Sequence, residues 1–166
     1  MSAGHFVKEE SMNIRLAAIE DTDSLVEFNQ KMALETEGKL LDTAVLHSGV
    51  AAVFSDEKKG FYVVAEDGNK IAGGLMVTYE WSDWRNAWFW WIQSVYILPE
   101  YRGKAIYSRL YEFVKASAAK TGKVCGFRLY VEKENTHAQR VYEKVGMDAS
   151  HYLMYEEQNE KPESFD

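Results

Sequence analysis

The sequence predicts a mixed α/β fold, a sheet flanked by helices, and three observations carry that prediction. Two strand-like runs flank the turn Asp67-Gly68-Asn69, which marks a hairpin. Residues 86–132 read as strand, helix, strand, and such a crossover makes its two strands parallel with a right-handed connection. Two segments of helical period precede the hairpin.

In order, "NIRLAAI" (13–19) alternates as a strand. A helix follows, with Asp21 or Thr22 as its cap and Leu25, Phe28, Met32 and Glu35 on one face, and Gly38 ends it. A second helix starts near the cap Asp42, with Val45, Leu46, Val50 and Val53 at helical spacing. Strands are expected at 60–67, 70–81 and 86–98. A helix over 102–121 stops at Gly122. A strand over 124–132 places Phe127, Leu129 and Val131 on one face. A short helix runs from its cap Asn135 to Gly146, and "HYLMYEE" reads as a last strand. Residues 1–11 are expected as a loose leader, 12–156 as one domain and 157–166 as a polar tail.

Composition narrows the function. The chain has 166 residues, 46% hydrophobic and 14% aromatic, which suits one domain with a substantial core. A formal charge of -7 argues against a nucleic-acid partner held by phosphate contacts and tilts the reading toward a small cationic partner. The single cysteine, Cys125, permits no intrachain disulfide and reads as a small buried hydrophobe. His47, His137 and His151 lack ligand spacing, so no metal is expected. "MSAGHFVKEE" has no apolar h-region, and the longest apolar tract is too short to span a bilayer; the expectation is a cytoplasmic protein with no membrane partner. "RGKAIYS" does not meet the phosphate-loop pattern of ATPases.

Two stretches carry chemistry. "LPEYRGKAIYSRLY" and "ENTHAQRVYEKVGM" together resemble the signature of the GNAT N-acetyltransferase superfamily. Arg102, Gly103 and Lys104 match the first motif, while Ala105 and Tyr107 stand where it has Gly and Gly or Ala. Asn135, Ala138, Tyr142 and Gly146 match the second, with Met147 in place of Phe. The element order agrees along residues 12–156. The resemblance implies a central mixed, mostly antiparallel sheet with one parallel, splayed strand pair. It implies acetyl-CoA as cosubstrate, its pantetheine arm along Val95, Tyr96 and Ile97. Its pyrophosphate would lie on the backbone N–H groups of Arg102, Gly103, Lys104, Ala105, Ile106 and Tyr107. Asn135 would contact the same arm, and a homodimer fits the family's habits and the general preference for symmetric pairs. The Tyr107 side chain either crowds the cofactor arm or turns into the core.

Acyl transfer to an amine needs a neutral amine, a donor for the carbonyl oxygen and a proton for the leaving thiolate. A free alkylammonium has a pKa near ~10, so its proton must go somewhere. Tyr142 occupies the family's acid position, although its helical spacing with Ala138, Val141 and Val145 also suits ordinary core. Asn135 suits a helix cap as well as a cofactor contact. The fourth strand offers Trp91 and Gln93, with Val95 on the same face by alternation, and none is a base. Glu35, Glu37 and Glu80 remain as bases, alongside loss of the proton to water. Trp81, Trp84, Trp88, Trp90 and Trp91 serve as core or as a cation–π wall, with Trp81 and Trp91 candidates to touch substrate. Cys125 lacks an adjacent base and is poorly placed as a relay nucleophile. The expected function is acetyl transfer to the amine of a small molecule by direct attack in a ternary complex. The rivals are transfer from a different acyl-CoA and an acyl-CoA sensor without turnover.

Overall fold

The computed structural model describes residues 12–159. The proposed leader, residues 1–11, and residues 160–166 of the tail lie outside the described residues. Two compact units are present, the first ending at Tyr130 and the second beginning at Val131.

The first unit holds one five-stranded sheet in the order β1 (Asn13–Leu16), β2 (Phe61–Asp67), β3 (Lys70–Ser82), β4 (Ala87–Ile97) and β5 (Val124–Arg128). Neighbours are antiparallel except β4 and β5, which run parallel. Helices α1 (Thr22–Glu37) and α2 (Thr43–Ser55) precede the hairpin, and α3 (Ile106–Thr121) connects the parallel pair. The mixed sheet with a parallel β4–β5 pair and flanking helices is the expected fold class.

Local signals explain most boundaries. Asp42 caps α2 by accepting the Val45 N–H at 2.9 Å. Gly38 and Gly122 close α1 and α3 with φ of 62° and 80°, a left-handed bend that suits glycine. The start of α1 differs from expectation, since neither Asp21 nor Thr22 makes a side-chain cap to it. Arg15 takes both Asp21 oxygens, at 2.7 and 3.0 Å, and the Ala18 N–H takes one of them at 2.8 Å. That guanidinium holds the Asp21 carboxyl below its ordinary pKa.

The sheet separates two cores. On one face Leu25, Val26, Val50 and Val53 pack on Tyr62 and Val64, and Phe28 packs on Tyr96 and Leu98. Of the four residues at helical spacing on α2, Leu46, Val50 and Val53 pack here, while Val45 is 70% exposed. The opposite face carries α3, whose Ile106, Tyr107, Leu110, Tyr111 and Val114 are buried. Tyr111 meets Phe127 of β5 edge-on at 5.6 Å.

In the second unit α4 (Thr136–Lys144) is capped by Asn135, whose Oδ1 accepts the Ala138 N–H at 3.1 Å. Gly146, with φ of 93°, turns the chain out, and the Met147 N–H reaches the Tyr142 carbonyl at 3.1 Å. Residues 151–157 form no strand, contrary to the sequence reading. Alternation alone does not make a strand, because the backbone groups need a ladder partner and this segment forms none among the described residues. The same limit shortens β5, which ends at Arg128 rather than at 132.

Candidate active site

The central feature is a fork. Parallel pairing of β4 with β5 ends at Trp91 and Arg128, while β4 continues to Ile97 against β3 alone. Within that half, Gln93 pairs with Met76 and Tyr96 with Gly74. Two residues of β4, Ser94 and Val95, therefore oppose the single Leu75, a β-bulge, and Ser94 has φ of 51°. The extra residue resets the alternation. Val95 does not share the face of Trp91 and Gln93, as simple alternation predicts; Tyr96 does.

Backbone direction follows from two hydrogen bonds. The Trp88 N–H reaches the Lys123 carbonyl on the β5 side, and the Leu98 N–H reaches Ala72 on the β3 side. Alternation then turns Tyr96 toward β3, and Val95 and Ile97 toward the side beyond the end of β5. Two glycines let β3 lie close to its neighbours, Gly73 against this half of β4 and Gly74 against β2. A Cβ on Gly73 would lie 2.7 Å from the Tyr96 carbonyl, and one on Gly74 would lie 2.9 Å from that of Val63.

After β4 a short turn at Pro99–Tyr101 leads to Arg102, which is extended, then to Gly103 and Ala105 at φ of 76° and 57°. Left-handed residues at both positions fold the chain into a concave turn at the start of α3. First-turn N–H groups of a helix have no partner inside it and carry the positive end of its dipole. No acidic residue lies in the first turn of α3, and a Cβ on Gly103 would meet nothing within 4 Å. The turn therefore suits a phosphate, with Lys104 beside it. Ala105 pays for its left-handed backbone with about 1 kcal/mol. Tyr107 is only 6% exposed and stacks on Tyr111 at 6.0 Å, so its ring belongs to the core and does not crowd the turn.

Glu35 reaches the fork from α1. Its Oε1 accepts the Tyr96 hydroxyl at 2.6 Å and its Oε2 accepts Arg102 Nη2 at 2.9 Å. Arg102 Nε also donates to the Ile97 carbonyl at 2.9 Å. The Tyr96 hydroxyl, then Arg102, holds the Glu35 carboxyl below the usual range, while burial and then Glu35 push the Tyr96 phenol up to about 12. A carboxylate held low is a poor proton acceptor near neutral pH. Glu37 is turned elsewhere, paired with Lys39 at 2.9 Å.

A second polar cluster lies on the same sheet face, at the crotch of the fork. Glu80 Oε1 accepts the Trp91 indole N–H at 3.2 Å and Arg128 Nη1 at 2.6 Å. Gln93 donates to Thr78 at 2.6 Å. The Arg128 guanidinium lies 3.6 Å from the centroid of Phe89, and Arg85 lies 5.0 Å from that ring. The tryptophans thus divide. Trp90 is core; Trp81 meets Trp88 edge-on at 4.9 Å on the opposite face, away from Trp91 and Gln93; Trp84 lies exposed in the β3–β4 turn. Cys125, expected to be buried, is exposed, and its thiol donates to the Trp88 carbonyl at 3.3 Å.

In the second unit Tyr142 is half-buried, and burial raises its phenol above the ordinary value. The Asn135 cap uses the side-chain oxygen and leaves the NH₂ available to a ligand. Sequence reasoning missed Arg128 and Phe89 as neighbours of the site, and it named Tyr96 for its backbone without its bond to Glu35. Alternation on β5 could have flagged Gly126 and Arg128 together; nothing in "IQSVYI" marks the bulge.

A forked, bulged fourth strand that leads into an anion-shaped turn defines an acyltransferase architecture, and comparison with known proteins agrees. The chain belongs to the acetyltransferase (GNAT) family, whose model matches residues 19–147. It is similar to a possible acetyltransferase from Clostridium difficile 630, at 46% identity and a TM-score of 0.83, over 90% of this chain and 99% of that one. A predicted acetyltransferase with acetyl-CoA from Clostridium acetobutylicum shares the fold, with a TM-score of 0.71 at 19% identity, over 88% and 96% of the two chains. The catalytic subunit NAA20 of the N-terminal acetyltransferase B complex of Arabidopsis thaliana is 28% identical over 95 residues, 57% of this chain. The match spans about half the length of that relative, 51%.

Proposed function

We propose that this chain transfers the acetyl group of acetyl-CoA to the amine of a small molecule, by direct attack in a ternary complex. The observation that carries the reading is the fork, where β4 outruns β5 and turns Val95 and Ile97 toward the vacated side beside the turn at Arg102. An extended pantetheine arm would pair there as a strand does, and the pyrophosphate would meet the start of α3. The amine lone pair attacks the thioester carbonyl carbon and the C–S bond breaks. A β4 N–H at the bulge receives the charge on the carbonyl oxygen. Tyr142, in the family's acid position, protonates the thiolate, and its raised pKa keeps the phenol protonated until then. The amine proton leaves to water or to Glu80, whose Oε2 stays clear of the bonds made by Oε1. Glu35 is the weaker base, being held low by Tyr96 and Arg102.

The test is calorimetric titration of acetyl-CoA and CoA into wild type and Tyr142→Phe, with thiol release followed on an amine panel. Both proteins should bind with similar affinity, and turnover of the variant should fall by about 10²-fold or more. Absence of acetyl-CoA binding, or unchanged turnover in Tyr142→Phe, would overturn the proposal.

A further inference from the structure

The charge of the whole chain and the charge of the fork point in opposite directions. The chain is acidic, yet around the Phe89 ring stand two guanidiniums, Arg85 and Arg128, and one carboxylate, Glu80. An acceptor recognised only as a cation would meet net positive charge there.

Arg128 is also held in place. It is the last residue of β5, paired in register with Trp91, so its side chain leaves the sheet at the crotch of the fork. It shares a face with Phe89, Trp91, Gln93 and Glu80, opposite α3. Its guanidinium rests on the Phe89 ring, and one nitrogen is fixed by Glu80. Gly126 makes this platform feasible, because a Cβ there would lie 2.7 Å from the Phe89 ring. The Arg128 and Glu80 side chains are 34% and 42% exposed, open to a ligand on one edge. As a partly exposed pair they contribute little stability, about 0–1 kcal/mol. The ring platform and the glycine are better explained by orientation of the guanidinium. A planar fork with one nitrogen fixed offers its remaining N–H groups in the geometry that matches a carboxylate.

We infer that Arg128 anchors a carboxylate on the acceptor, so the substrate class is an amino-carboxylate rather than a simple amine or polyamine, with Glu80 orienting the guanidinium. The inference rests on the acetyl-transfer reading and names its acceptor.

Matched pairs test it: phenylalanine against phenethylamine, and lysine against cadaverine, as acceptors for acetyl-CoA. The carboxylate member should be favoured by about tenfold or more in kcat/KM, the size of one charge-assisted contact. Arg128→Gln should bring the ratio within a pair to near one, chiefly through KM, and Arg128→Lys should restore part of it. Equal rates within pairs, or a ratio that Arg128→Gln leaves intact, overturns the inference. Titration of N-acetylphenylalanine and N-acetylphenethylamine by tryptophan fluorescence separates the two readings. If no amine is acetylated but the carboxylate ligand binds preferentially and Arg128→Gln removes the preference, the anchor stands and acetyl transfer fails. If neither ligand is preferred, the anchor fails. Circular dichroism of both variants reports whether they fold, and Arg128→Lys carries the test if Arg128→Gln does not.

Discussion

The two halves of β4 make opposite uses of one strand. From Trp88 to Trp91 it is paired on both sides, alternates regularly against β3 with one register shift against β5 after Trp88, and carries a ring, Phe89, packed over a glycine. From Ile92 to Ile97 it is paired by β3 alone, carries a bulge with a left-handed serine, and is tied to α1 by Tyr96 and Glu35. The first, lower half is built for position, and the second, upper half runs on past the end of β5, with Val95 turned to the vacated side and the Ile97 carbonyl taken by Arg102 Nε. Their contrast teaches that a sheet can hold an edge inside itself, provided that the neighbouring strand stops early.

The largest effect expected from this contrast is in hydrogen exchange. Acetyl-CoA at about 100 times its Kd should slow exchange at Val95 and Ile97 by up to about 100-fold. Trp88 and Trp90, whose N–H groups face β5, should show no comparable local change beyond global stabilisation. Equal protection at all four positions without ligand would erase the difference between the halves.

Next in size is Gly126→Ala. Its new methyl overlaps the Phe89 ring and should cost about 2 kcal/mol in chemical denaturation. A variant as stable as wild type would mean that the lower half is looser than its packing implies. Ala105→Gly acts at the exit of the upper half. Removing a left-handed alanine should stabilise the protein by about 1 kcal/mol and leave acetyl-CoA affinity equal or tighter. Lower stability would show that the alanine is not strained.

The smallest effect is a pH dependence confined to the upper half. The folded-state pKa of Tyr96 is raised from 10.0 to about 12, so its contribution is present below pH 10 and is lost as pH rises toward 12. Glu35 is shifted downward, so its contribution is present above the ordinary carboxylate range and is lost as pH falls through the depressed value. Tyr96→Phe should flatten the alkaline limb, and Glu35→Gln the acid limb, of stability against pH. Tyrosinate absorbance in wild type checks the first directly.

Features specified by one residue were readable in the sequence. Asp42 and Asn135 cap helices and Gly38, Gly122 and Gly146 end them, because each acts on groups a few residues away. Features that depend on a distant partner were not. Asp21 carries a cap signature, yet Arg15 and Ala18 claim its carboxylate. "HYLMYEE" alternates like a strand but has no ladder among the described residues. The candidate site divides the same way. The turn at Arg102 and the match at Tyr142 were visible as motifs. Arg128 and the displacement of Val95 by Tyr96 depend on strand register, and a serine announces no bulge.

The bulge at Ser94 acts on β4 as a frameshift acts on a message. Upstream of it odd-numbered residues speak to the face of Glu80 and Arg128; downstream the even-numbered ones do. A substitution changes one word, whereas deleting one residue between Gln93 and Tyr96 would close the bulge, leave a single residue opposite Leu75 and keep Tyr96 opposite Gly74 on the face of Gln93, so an unbulged strand lacks one letter here. Strands borrowed from relatives must therefore be grafted in two frames, joined at the serine.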